Sequence, residues 1–210
     1  MKKEEFFDGH APDWDRAAPA GMEPRLARVV AEAHLRPGQR VLDVGSGTGV
    51  LIPHILRAVG EGGWVAALDL SAEMLAIARG KCFPANVGFL QADIQQVPLA
   101  DQSFDRVICN AAFPHFADER KALAEMIRVL RPSGLLVISH PIGREAVNAL
   151  HRDAGEAVAG DRVLPGAEMR RLLKAAGLKR IRVIDEPQFY LASARKAGAG
   201  TAARGNPGRA

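Results

Sequence analysis

Cysteine is scarce in this chain, with only Cys82 and Cys109 among 210 residues. A disulfide framework is excluded, and both read as reduced, buried thiols of a cytosolic protein. Long apolar runs are also missing. The longest, such as Gly134 to Ser139, fall far short of the roughly 20 residues that span a bilayer. The opening MKKEEFFDGH has two lysines but no apolar stretch behind them, so no secretory signal is expected. Aromatic residues make up only 5%, with a single tyrosine, Tyr190. What is present is 48% apolar and 25% charged, the balance of a globular protein with a core rather than of collagen or a disordered chain. The length suits one domain.

Acidic residues are absent from the last sixteen positions, which hold Arg195, Lys196, Arg204 and Arg209. That segment matches the whole chain's net charge of +4, so residues 1–194 balance at zero. Bulk charge gives no argument for nucleic-acid binding, and neither a nucleic-acid nor a membrane partner is expected. Residues 195–210 read as a disordered, basic, Gly/Ala-rich tail behind a single domain of residues 1–194. No two histidines stand at H-x-x-x-H or H-x-x-E-H spacing, so no metal site is expected.

Strand-like and helix-like segments alternate along the chain. Residues 1–20 read as an irregular arm. A helix is expected from Pro24 to about Leu35, then a strand at Arg40–Val44 running into a glycine cluster. Val50–Val59 has helical spacing and stops at Gly60. Trp64–Leu68 is strand-like, and Ser71 caps a helix whose stripe is Met74, Leu75, Ile77 and Ala78. Strands follow at Val87–Gln91 and Phe104–Cys109, and a helix at Asp118–Leu130. Arg131–Gly134 reads as a stop before the strand Leu135–Ser139. Helices are expected at about Arg144–Ala159 and Ala167–Ala176, the second ending at Gly177. The closing strands, Arg180–Ile184 and Gln188–Ala192, are joined by only Asp185-Glu186-Pro187. That joint is too short for a parallel crossover, so this pair is expected to be antiparallel. The rest implies a parallel sheet covered on both faces, with a ligand crevice at its strand ends.

The strongest motif is Val41-Leu-Asp-Val-Gly-Ser-Gly-Thr-Gly49. Gly45 and Gly47 let a ligand lie against backbone, and the following helix aims its N-terminus there. Asp43 would repel a pyrophosphate and attract a cationic amino group. A glycine at position 50, which G-x-G-x-x-G requires, is replaced by Val50, and no Gly-Lys-Ser/Thr follows. Asp69 closes the second strand and Asp93 the third. An acid at the first can take bonds from ribose hydroxyls, and one at the second from an adenine amino group, with Leu70 and Ile94 as apolar walls.

These residues resemble the class I S-adenosylmethionine-dependent methyltransferases. VLDVGSGTG is similar to that family's first motif, and Leu68-Asp-Leu-Ser-Ala-Glu-Met74 to its ribose-binding strand end. Phe89-Leu-Gln-Ala-Asp-Ile94 is similar to the adenine site, Ser103–Asn110 to the fourth strand and Leu130–Val137 to the turn and strand after it. The resemblance spans about residues 38–194 and is nearest the small-molecule branch that includes quinone-biosynthesis and sterol methyltransferases. It implies an α/β, Rossmann-like, doubly wound, mostly parallel sheet of seven strands, with one antiparallel strand near the C-terminus and helices on both faces. It implies S-adenosyl-L-methionine as methyl donor and S-adenosyl-L-homocysteine as product. Asp43, Gly45, Ser46 and Gly47 would hold the methionine end. Asp69 would bind ribose with Leu70 and Met74 nearby, Asp93 and Ile94 would bind adenine, and Asn110 and Ala111 would lie along the methionine portion. Ala111-Ala-Phe113 departs from Asn-Pro-Pro-aromatic, which counts against adenine-base and protein-glutamine targets.

Methyl transfer needs little from the protein beyond alignment and exclusion of water, and a base only where the nucleophile arrives protonated. His115 and His140, just after the fourth and fifth strands, are the candidate catalytic residues. His10 and Trp14 in the arm, with Phe113 and His151, are candidates for the acceptor wall and lid. The expected acceptor is a small molecule, and the protein a cytoplasmic monomer or homodimer. Two readings stay open beside the enzyme: a non-catalytic cofactor-binding sensor or partner subunit of the same fold, and a nicotinamide dehydrogenase, which Asp43 and Val50 oppose.

Overall fold

The computed structural model describes residues 2–198. The arm, expected to be irregular over residues 1–20, is instead helical over residues 3–17: α1 spans Lys3–His10, a 3-10 turn Ala11–Asp13, and α2 Trp14–Ala17. The signal was local and short. Glu5 reaches back to accept from the Lys2 backbone N–H at 3.0 Å, and Glu4 and Glu5 both sit in the first turn, where the helix dipole favours acids. Phe6 is the buried residue of this helix.

The alternation continues with α3 (Met22–Glu32), β1 (Arg40–Val44), α4 (Ile52–Val59), β2 (Trp64–Asp69), α5 (Ala72–Gly80), β3 (Val87–Gln91), β4 (Phe104–Asn110), α6 (Glu119–Val129), β5 (Leu130–His140), α7 (Arg144–Asp153), α8 (Gly166–Ala175), β6 (Lys179–Glu186) and β7 (Phe189–Arg195). All seven strands form one sheet in the order β3-β2-β1-β4-β5-β7-β6. Neighbours from β3 to β5 pair in parallel, while β7 runs antiparallel to both β5 and β6. The sheet is therefore the expected one, with β7 as its reversed strand.

Several boundaries differ from expectation, three of them with a clear local cause. Arg131–Gly134 is not a stop but a bulge within β5. Leu130 still pairs with Phe104, the register shifts, and Leu135 then pairs with Arg106. Lys196 ties the bulge down, giving its N–H to the Gly134 carbonyl and accepting from the Ser133 N–H. The helix expected to reach Ala159 ends at Asp153, because Gly155 turns the chain at φ +105°. β7 runs through Arg195, one residue past the expected domain edge at 194. Lys196 Nζ then caps the end of α6 by donating to the carbonyls of Ile127, Arg128 and Leu130. The remainder of the expected tail, residues 199–210, lies outside the described residues.

Helices cover both faces. On one, α4 buries Ile52, Ile55 and Val59 at helical spacing beside Val29 of α3 and Val41 of β1. On the other, Leu123 and Met126 of α6 pack with Met169 and Leu173 of α8 over Val107 of β4. Each fully buried aliphatic side chain contributes about 1.5–3 kcal/mol. The chain order reverses between β1 and β4, and right-handed crossovers send the loops after these strands to one edge. That edge holds the cavity.

Candidate active site

The turn after β1 holds Gly45, Gly47 and Gly49 at φ +67°, +53° and +79°, a region costly for other residues. At Gly45 an added Cβ would stand 2.3 Å from the Ala112 Cβ, so the absent side chain is what lets the loops after β1 and β4 meet. At Gly47 the nearest atoms to such a Cβ are Trp14 Nε1 at 3.9 Å and Met74 Sδ at 4.0 Å, leaving the backbone open to the cavity. Ala111 is also left-handed, at φ +57°, and its N–H donates to the Ser139 carbonyl at 2.7 Å. Backbone conformations of this kind cluster at functional sites.

Asp43, at the end of β1, is buried and its Oδ2 has no hydrogen-bond partner; the same holds for Ser46 Oγ. Burial, reinforced by Asp69, pushes the Asp43 carboxyl up to about 7. The folded chain thus holds a proton that the unfolded chain loses, so stability falls as pH rises from the ordinary carboxylate range towards 7. Asp69 is also raised, chiefly by burial, although it accepts from Gly47 N at 2.7 Å and Ser71 N at 2.9 Å. Those two bonds fix the glycine turn against the start of α5. Asp93 caps the 3-10 turn Ile94–Gln96, accepting from Gln95 N at 2.8 Å. Asn110 Oδ1 accepts from Ser139 Oγ at 3.0 Å.

One cavity of about 270 Å³ runs along these strand ends. The cofactor positions expected from the sequence all line it: Asp43, Gly45, Ser46, Gly47, Asp69, Leu70, Met74, Asp93, Ile94, Asn110 and Ala111. His115 and Trp14 line it too, with Lys3, Phe7, Gln95 and Phe116 beside them. The arm is fastened over the turn by polar contacts: Thr48 Oγ1 donates to Asp15, Lys81 pairs with Asp15 at 2.6 Å, and Ser71 Oγ donates to Asp8.

Four expected wall and catalytic residues lie elsewhere. His140 is buried in β5 opposite Tyr190, away from the cavity wall, and burial pushes its ring down to about 3. Such a ring is neutral at all ordinary pH. His10 is exposed, with Nδ1 2.7 Å from the Phe6 carbonyl and its ring against Phe6. The 3-10 turn Phe113–His115 directs Phe113 into the core, where it meets Phe116 edge to face, and Phe116 takes the wall position. His151 stands behind His115 with ring centroids 4.7 Å apart, its Nδ1 2.9 Å from the Asp161 carbonyl oxygen. Sequence reasoning missed Lys3, Phe116 and Asp161. Only Phe116 carried a local signal, three residues after Phe113.

The reversed β7, the order change between β1 and β4, and the acids Asp43, Asp69 and Asp93 at or just past three successive strand ends define a Rossmann-like fold with an acid-lined cavity at its switch point. A methyltransferase-domain family model matches residues 42–138. A solved S-adenosylmethionine-dependent methyltransferase from Aquifex aeolicus is 30% identical with a TM-score of 0.67, covering 81% of this chain and 88% of that one. The chain belongs to the S-adenosylmethionine-dependent methyltransferases, whose methyl donor is S-adenosylmethionine and whose product is S-adenosylhomocysteine. The ubiquinone/menaquinone biosynthesis C-methyltransferase UbiE of Vibrio vulnificus is 40% identical over 107 residues, 49% of this chain. The match takes in 41% of that relative's length. A putative methyltransferase of Haloferax volcanii, solved in complex with the Trm112 methyltransferase activator, shares the fold at 23% identity, with a TM-score of 0.74 over 94% of this chain and all of that one.

Proposed function

We propose that this enzyme transfers a methyl group from S-adenosylmethionine to a small-molecule acceptor, working in the cytoplasm as a monomer or homodimer. The observation that carries the reading is Asp43: a buried carboxylate oxygen without a partner, facing a cavity along an open glycine turn. A cationic amino group answers that oxygen, and the Gly47 backbone leaves room for the chain that bears it. Asp43, Gly45, Ser46 and Gly47 would hold the amino-acid end, Asp69 the ribose beside Leu70 and Met74, and Asp93 and Ile94 the adenine. Asn110 and Ala111 would flank the methionine portion. The donor supplies a methyl carbon made electrophilic by its sulfonium. Phe7, Trp14 and Phe116 would exclude water and align a flat acceptor, and His115 would take a proton from it. The likeness to C-methyltransferases supports carbon as the accepting atom.

Calorimetric titration with S-adenosylmethionine and S-adenosylhomocysteine is expected to give saturable one-site binding of both, and none of NADH. Asp69→Ala removes a charged acceptor, so affinity is expected to fall about tenfold to 100-fold. Binding of neither compound to the folded chain would overturn the reading.

A second result follows from Asp43. An ammonium group against its carboxylate favours the charged form, so a carboxyl that sits at about 7 in the free chain should release its proton on binding. The binding enthalpy near pH 6 to 7 should then vary with the ionisation enthalpy of the buffer. Asp43→Asn should abolish that variation; an unchanged dependence in this variant would show that the proton comes from elsewhere.

A further inference from the structure

His115 lines the cavity with its ring 5.1 Å from that of Phe7 in α1. Its Nδ1 lies 2.6 Å from Asp161 Oδ2, in the loop between α7 and α8. A carboxylate only accepts, so Nδ1 carries the ring hydrogen and Nε2 keeps its lone pair. Lys3 Nζ, on the first residue of α1, donates to the same Asp161 oxygen. One oxygen therefore joins a histidine of the cavity wall to the N-terminal helix. The His115 and Asp161 side chains are sheltered, at 12% and 14% exposure.

We infer that Asp161 and Lys3 are positioning residues that tie the docking of α1 over the cavity to the readiness of His115 to accept a proton. The reaction this serves rests on the methyl-transfer reading above, whereas the coupling is a property of the chain itself. The two partners act on the ring with opposite signs: the Asp161 charge favours imidazolium and the Lys3 charge disfavours it. Burial holds His115 below the ordinary histidine value; Asp161 opposes this, and His151 and Lys3 reinforce it. Burial pulls the Asp161 carboxyl up, but the hydrogen bonds from His115 and Lys3 outweigh it and keep it low. His140 also acts on the ring, and Glu119, with Arg162 beside it, faces Asp161. With α1 docked, His115 is neutral and its Nε2 can receive a proton. With α1 undocked, the Lys3 charge is withdrawn and the ring holds a solvent proton more tightly, which blocks it as an acceptor. In the transfer, the acceptor's electron pair forms the new bond to the methyl carbon, the carbon–sulfur pair passes to sulfur, and the acceptor's proton passes to Nε2. Asp161 balances the imidazolium until the proton returns to water.

The test is an NMR titration of the His115 ring in the full chain, assigned with His115→Gln. Lys3→Met is expected to move the midpoint up, Asp161→Asn to move it down, and Lys3→Arg to leave it in place. Long-range proton–nitrogen spectra should show the Nδ1–H tautomer in the parent chain. A contact that only stabilises the fold would lower Tm in Lys3→Met and Asp161→Asn alike without separating their midpoints. No movement in Lys3→Met, or movement in the direction of Asp161→Asn, overturns the coupling. Lys3 is half-buried at the first residue of α1 and outside the hydrophobic core, so Lys3→Met decides the matter even where Asp161→Asn fails to fold. Calorimetry with S-adenosylmethionine on the same samples keeps the readings apart, since lost cofactor binding sinks methyl transfer while the midpoints still judge the coupling.

Discussion

Gly45→Ala is expected to lose S-adenosylmethionine binding by about 100-fold or more and to destabilise the fold by about 2–4 kcal/mol. Two faults combine. The residue sits at φ +67°, where a Cβ costs about 1–2 kcal/mol. The new methyl would also stand 2.3 Å from the Ala112 Cβ, closer than any real contact. Ala112 cannot retreat freely, because Ala111 beside it is already left-handed and bonded to Ser139. The loop after β4 must shift, and with it Asn110 and Ala111 on the cavity wall. Gly38→Ala separates the two faults: Gly38 has φ +79° but nothing within 4 Å of an added Cβ. That variant should cost about 1 kcal/mol and leave cofactor affinity intact. Ala112→Gly in the Gly45→Ala background should recover part of the loss, a coupling that a double-mutant cycle reads directly. Equal affinity in Gly45→Ala and the parent chain would show that the approach of these loops does not shape the site.

His115→Gln is expected to lower kcat by about 100-fold to 10,000-fold while cofactor affinity stays within about twofold. Glutamine keeps a polar side chain near Asp161 but cannot take a proton at neutral pH. Activity of the parent chain should fall on the acid side as the ring becomes charged. Because burial holds His115 below the ordinary histidine value, that limb should lie below the midpoint of an exposed histidine. Steady-state rates over about pH 5 to 8, with any acceptor found by a labelled-methyl screen, check both points. An unchanged kcat in the variant would mean that the acceptor arrives already deprotonated or carries a free lone pair, and would remove His115 from the chemistry.

The strand ends were legible in the sequence because each is set locally. A short apolar run must be a buried strand, a glycine or an acid must follow it, and the sheet then places every such end on one edge. Asp43, Asp69 and Asp93 reach one cavity for that reason, and their neighbours Ser46, Leu70 and Ile94 arrive with them. The acceptor side obeys no such rule. His115 meets Asp161 across 46 residues, and Asp161 meets Lys3 across 158, so no periodicity in the chain joins them. Phe113 and Phe116 differ only in how one 3-10 turn aims them, a choice decided by packing under α6. The position of His140 after an apolar run points to the site. Yet β5 continues to His140 itself, which keeps that ring inside the sheet opposite Tyr190. Arg131–Gly134 has the composition of a turn, and only pairing on both sides makes it a bulge.

The reversal of β7 decides how this enzyme is best handled at the bench. Arg195 pairs with Leu135 just past the bulge of β5, whereas Tyr190 pairs with His140 at its end, so the described chain leaves the sheet on the side away from the cavity. Lys196 fastens that exit to α6. A fluorophore or affinity handle placed on the described chain near residue 198 starts from the side away from the mouth of the site. The same attachment ahead of Lys3 would load the helix that bears on His115, and would alter turnover in an assay meant only to report it.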